Sequence, residues 1–139
     1  MLAGVKRALS LLAAAAVFAG CDSGESDGDP EAIKGAPKQV AAAVSALDAA
    51  TRAGRYKEIC NELLTRSARA RAGGKDCAVL LRSATEEVRD PRVRLLSIRV
   101  KGDTAEARVR SRSAGERAVD ETIAFRRERG RYRISSLSP

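Results

Sequence analysis

The sequence predicts an α+β domain of three amphipathic helices followed by a four-stranded antiparallel meander. Apolar residues recur at helical spacing as far as residue 88, then at every second position from 92 onward. The change of period falls on Asp90-Pro91, a dipeptide that closes a helix. Helices that run out before strands begin mark an α+β layer rather than βαβ units. The 139-residue chain has room for one such domain, placed at residues 37–139.

Pro37 suits the first turn of a helix in which Val40, Ala43, Val44 and Leu47 share a face until Gly54 stops the pattern. A second helix is expected in "RYKEICNELL", with Tyr56, Ile59, Cys60, Leu63 and Leu64 on one side. "RSARARAGGK" reads as a basic, glycine-ended connection. Asp76 is the expected N-cap of the third helix, in which Cys77, Leu80, Leu81, Ala84 and Val88 line up. The first strand, "RVRLLSIRV", has apolar residues on both faces, and Lys101, Gly102 and Asp103 make a turn. In "TAEARVRSR", Ala105, Ala107 and Val109 face one way, with Glu106, Arg108, Arg110 and Arg112 opposite. Gly115 lies in the next turn, and Val119, Glu121, Ile123 and Phe125 alternate through "AVDETIAFR". "ERGR" turns into "YRISSL", where Tyr132 and Ile134 share a face.

Ahead of this domain, Lys6 and Arg7 precede about a dozen uncharged, mostly apolar residues, the length of a signal-peptide core and short of a membrane span. The run ends in Phe18, Ala19 and Gly20, directly before Cys21. That ending resembles the bacterial lipoprotein signal, in which small residues precede a lipid-modified cysteine; Phe18 stands where leucine is more usual. The resemblance implies a signal peptide at residues 1–20 and a diacylglyceryl group on the Cys21 thiol. It implies a location at the cell membrane, lipid-anchored, on the extracytoplasmic face. Two acyl chains give stable anchoring where one binds only reversibly. Residues 21–36 carry Asp22, Glu25, Asp27, Asp29 and Glu31 among Ser and Gly, the composition of a flexible acidic tether. The chain has 26 Lys and Arg against 18 Asp and Glu, so with those acids set aside the folded part is more basic than the net +8.

Cys60 and Cys77 lie on the apolar faces of their helices, and an exported domain permits a disulfide between them. With no His in the chain, two cysteines cannot fill a zinc site, so no metal is expected. No cofactor is expected either, for there is no phosphate-cradling glycine loop, and no Ser-His-Asp set can form. Glu121, on the apolar face with Val119 and Ile123, is the one interior acid available to an enzyme. Arg108, Arg110 and Arg112 form a stripe able to meet anionic headgroups or wall polymers. Nucleic acid is not an expected partner: the chain has no Trp, only two Tyr and two Phe for stacking, and its address is outside the cytoplasm.

The helices-then-meander order, with "AGRYKEICNELL" after the first helix and a closing "GRYRISSL", resembles the nuclear-transport-factor-2-like (SnoaL-like) superfamily over residues 38–137. It is also similar to small actinobacterial lipoproteins that carry such a domain. The resemblance implies a curved sheet wrapped around three helices as a cone. The expectation that follows is a membrane-anchored, non-catalytic domain that binds a small apolar ligand or an envelope protein. The alternative is an isomerase- or dehydratase-type enzyme using a pocket acid.

Overall fold

A computed structural model describes residues 35–138. The segment expected to be a signal peptide, Cys21 and nearly all of the expected tether therefore lie outside the described residues. Helices precede strands as expected, but the helical half holds four helices, not three: α1 (Ala36–Ala53), α2 (Tyr56–Glu58), α3 (Arg66–Arg71) and α4 (Cys77–Ala84). Helix α1 starts inside the span assigned to the tether, with Gly35 at its N-cap and Pro37 in its first turn. It stops where Gly54 turns left-handed (φ 66°), letting the Arg55 N–H reach the Ala50 carbonyl at 2.8 Å.

The second helix is only partly regular. After α2 the chain widens into a π-turn at Ile59–Leu63, closed by the Leu64 N–H on the Ile59 carbonyl (3.0 Å). The wider turn brings Ile59 and Cys60, consecutive in sequence, both into the interior. Leu64 then runs extended beside Ile134, and Thr65, 1 % exposed, donates its N–H to the Ile134 carbonyl.

The expected connection "RSARAR" is helix α3, which corrects the sequence reading. Thr65 Oγ1 accepts the Ala68 N–H as N-cap, and the Glu128 carboxylate accepts the Arg66 N–H. Ala68 is the sole buried residue of α3, so the segment carries no apolar periodicity to reveal it. Helix α4 is shorter than expected, ending at Ala84, with the Thr85 hydroxyl donating to the Leu81 carbonyl (2.8 Å). Asp76 makes no side-chain cap; it closes the 3₁₀ turn Gly74–Asp76 that leads into α4. Leu80 and Val88 are not core residues. Leu80 lies back against Gly73, whose left-handed φ (112°) and missing Cβ leave room for it, and Val88 falls in the turn after the helix.

Strands β1 (Arg92–Lys101), β2 (Thr104–Arg112), β3 (Val119–Glu128) and β4 (Arg131–Ser138) form one antiparallel sheet in chain order. A bulge in each edge strand resets its alternation. In β1, Leu95 pairs with Val109 and Ser97 with Arg108, so Leu96 is the extra residue. Val93 and Leu95 before it, and Ile98 and Val100 after it, therefore share the inner face. In β4, Ile134 pairs with Phe125 and Ser136 with Ala124, so Ser135 is extra and Leu137 joins Tyr132 and Ile134 on the inner side.

Rows across that face read Val93–Ser111–Val119, Leu95–Val109–Glu121, Ile98–Ala107–Ile123–Leu137 and Val100–Ala105–Phe125–Ile134. Helix α1 lies mainly over β1 and closes the core through Val40, Ala41 and Val44. At the closed end, Tyr132 donates its hydroxyl to the Gly102 carbonyl (2.7 Å), with the Arg127 guanidinium 4.9 Å above its ring. Among the described residues no helix is long and apolar enough to cross a membrane.

Candidate functional site: an open apolar groove

Only part of the inner face is covered by α1. Toward the other end of the sheet, Val93, Ser111, Val119 and Glu121 of the first two rows, with Ile123 and Leu137, line a groove of about 750 Å³. Leu47 and Thr51 of α1, Tyr56 and Ile59, and Leu81, Thr85 and Val88 after them form its helical walls. A ligand cleft typically encloses roughly 300–1,000 Å³, so the space is large enough to hold a small molecule. Val88 is 38 %, Val119 50 % and Leu137 61 % exposed, three of the five large apolar side chains that face water among the described residues, and all three line the groove. Their gathering at one concave site sets them apart from singly scattered surface apolar residues.

The helical wall is fixed by two cross-links. The sulfurs of Cys60 and Cys77 lie at bonding distance, 1.99 Å, joining the π-turn to the first residue of α4 as the sequence leads one to expect. The Tyr56 hydroxyl is hydrogen-bonded to Thr85 Oγ1 at 2.7 Å, tying α2 to the far end of α4. Across the groove, the Arg71 guanidinium donates to the Ser135 carbonyl at 2.6 Å, satisfying the bulged residue of β4.

Glu121 stands on the groove floor, half-buried, where the sequence alternation puts it. Its Oε2 accepts the Ser111 hydroxyl at 2.5 Å, from the neighbouring strand. This pair is polar in an otherwise apolar floor. A carboxylate with a hydroxyl donor is able to accept a proton, but no second titratable side chain hydrogen-bonds to it. Among the described residues no group of three Cys, Asp or Glu gathers to hold a metal.

The arginine stripe divides. Arg110 and Asp120 form a two-pronged pair, Nε to Oδ1 at 2.6 Å and a terminal nitrogen to Oδ2 at 3.0 Å, while Arg108 stays 3.9 Å from the same carboxylate. That hydrogen bond holds the Asp120 carboxyl below its ordinary value and raises Arg110 further. Arg112 has no ion-pair partner among the described residues and sits at the rim of the groove with Arg92 and Arg117. The stripe is thus not one surface. Ser111, Thr85 and Arg71 escaped the sequence reading because their roles depend on register and on the unforeseen α3. For Ser111 alone a signal existed, its parity with Val109.

No family model matches this chain, and no curated protein does. Among solved structures, the solution structure of a SEC-C motif containing protein from Rhodopseudomonas palustris is similar, with a TM-score of 0.52 and 24% identity over 65% of this chain and 70% of that one. The likeness is one of fold alone and speaks for an α+β arrangement of helices and antiparallel strands.

Proposed function

We propose that this chain is a membrane-tethered lipoprotein, anchored through Cys21 on the extracytoplasmic face, whose NTF2-like (SnoaL-like) domain is a non-catalytic receptor for an apolar ligand. The observation that carries the binding role is the groove: a concavity of about 750 Å³ whose floor leaves Val119 and Leu137 in water. Burial of apolar surface contributes about 25 cal/mol per Å², so exposed valine and leucine are sites where an apolar ligand gains free energy. A preformed apolar pocket with few polar groups is the usual form of a small-molecule site. The disulfide between Cys60 and Cys77 is consistent with an oxidising compartment.

The test uses a neutral environment-sensitive probe, N-phenyl-1-naphthylamine, whose signal is read without interference because the chain has no Trp. Probe fluorescence should rise on binding and be lost in Val119→Lys/Leu137→Lys, two exposed positions where a charge leaves the fold intact. Equal binding by that variant would refute the groove as the site. For the anchor, Cys21→Ser in the native host should move the protein from the membrane fraction to the soluble fraction; continued retention would remove the lipid from the reading.

A second reading rests on the Glu121–Ser111 pair, a hydrogen-bonded acid on the floor of an apolar groove. In that case Glu121 is the acid or base of an isomerase- or dehydratase-type reaction. Glu121→Gln separates the two, because it leaves probe binding intact while abolishing any turnover that depends on the carboxyl group.

A further inference from the structure

We infer that the ligand of this groove is an anionic amphiphile, with its apolar chain against Val119, Ile123 and Leu137 and its phosphate or carboxylate head held by Arg92 and Arg112 at the mouth. This rests on the groove being the binding site. The argument for the head begins with strand register. β1 and β2 pair Arg92 directly with Arg112, and Arg94 directly with Arg110. Like charges opposite each other on adjacent strands destabilise a sheet, and here two such pairs lie side by side. Asp120 offsets one of these charges by binding Arg110 and approaches Arg108. Arg92, Arg94 and Arg112 keep no ion-pair partner among the described residues. These pairs alternate with the inward Val93–Ser111 and Leu95–Val109 pairs, and an anion at the end of the sheet beside Arg92 and Arg112 would relieve the repulsion of the terminal pair.

Position supplies the second half. Arg92 and Arg112 are the members of this cluster that also border the groove, and Arg117 joins them from the β2–β3 connection. The acids in the same groove are Glu116, at the rim and hydrogen-bonded to Ser113, and Glu121, on the floor and hydrogen-bonded to Ser111. A negative head is repelled by the floor and attracted by the mouth, while the chain gains from the apolar walls. Arginine suits the task because its planar donors match phosphate and carboxylate oxygens two at a time.

The experiment displaces N-phenyl-1-naphthylamine from the purified full chain with dodecyl phosphate or dodecyl maltoside, same tail and different head. Dodecyl phosphate should displace at about tenfold lower concentration or better, the worth of charge-assisted hydrogen bonds, and the advantage should shrink as salt rises. Arg92→Gln/Arg112→Gln should bring the two amphiphiles level without changing displacement by the maltoside. Shortening the alkyl phosphate by two methylenes should weaken it roughly tenfold, whereas inorganic phosphate should displace nothing. Probe displaced equally by both heads would overturn the anionic head and leave the groove as a receptor. Alkyl phosphates of every length equalled by inorganic phosphate would make this a free-phosphate site and overturn the amphiphile. Failure of the probe itself to bind would remove the groove and this inference together.

Discussion

Replacing Cys60 and Cys77 together with alanine should lower stability by about 3 kcal/mol, the loop-closure entropy released when a loop spanning 17 residues is no longer closed in the unfolded chain. Both cysteines are buried, at 3 % and 1 % exposure, so cavities left by the missing sulfurs add to the loss rather than reduce it. In urea, with a slope of about 1–3 kcal/mol/M, the midpoint should fall by about 1–3 M. The slope itself should rise, because an uncross-linked unfolded chain exposes more surface.

The bond joins two helical segments and leaves the sheet untouched, so the loss should also be uneven. Hydrogen exchange should report faster opening of α2, the π-turn and α4 than of β2 and β3. Since α2 and α4 wall the groove, the variant should bind the neutral probe more weakly even where it remains folded. A loss below about 1 kcal/mol with an unchanged slope would refute the chain-entropy reasoning. Uniform exchange across helices and sheet would refute the claim that the bond acts on the groove wall.

Two further perturbations test local assignments. Thr65→Ala removes both the cap of α3 and a buried hydroxyl, and should cost about 1–2 kcal/mol in urea unfolding, with Thr65→Ser recovering most of it. For Asp120, the folded carboxyl titrates below its ordinary value of 3.8, so its pairing with Arg110 stabilises the fold fully above that value and the contribution is lost as pH falls through the lowered one. Thermal unfolding of Asp120→Asn should therefore lie below wild type at neutral pH, with the two converging in acid. The gap should be small and narrow further in high salt because the pair is exposed. A gap that widens in acid would contradict the assigned direction.

The order of elements was legible because period and punctuation agree: Pro37 and Gly54 bound α1, and Asp90-Pro91 separates helices from strands. The cysteine pair was legible because both side chains are apolar-facing neighbours of a short connection. What the sequence hid is where a single buried residue is enough to hold an element. Helix α3 buries only Ala68 and is fixed by Thr65 and Glu128, a contact spanning 62 residues that no local pattern encodes. Leu80 and Val88 keep helical spacing with Cys77, yet the helix ends at Ala84 and the π-turn alters the face to which α4 is bonded. The arginine stripe was read from parity alone, which finds the face but not the partner. Asp120, on the next strand, separates Arg110 from Arg112.

The two bulges decide which edge-strand side chains reach the core and which reach the groove. Strict alternation from Val93 and Leu95 would put Ile98 and Val100 outward, and strict alternation from Tyr132 and Ile134 would do the same to Leu137. The extra Leu96 and Ser135 correct the parity, so Ile98, Val100 and Leu137 share the inner face with the apolar residues before each bulge. For Ile98 and Val100 the gain is plain, because Ile98 is buried in the core and Val100 packs against it. Leu137 gains no such cover and is 61 % exposed, while the Ser135 carbonyl needs Arg71 from another helix to satisfy it. Packing among the described residues therefore accounts for the bulge in β1 but not for the side-chain direction that the bulge in β4 imposes on Leu137. The apolar ligand proposed for this groove would supply the missing contact above Leu137 and Val119, both of which line it.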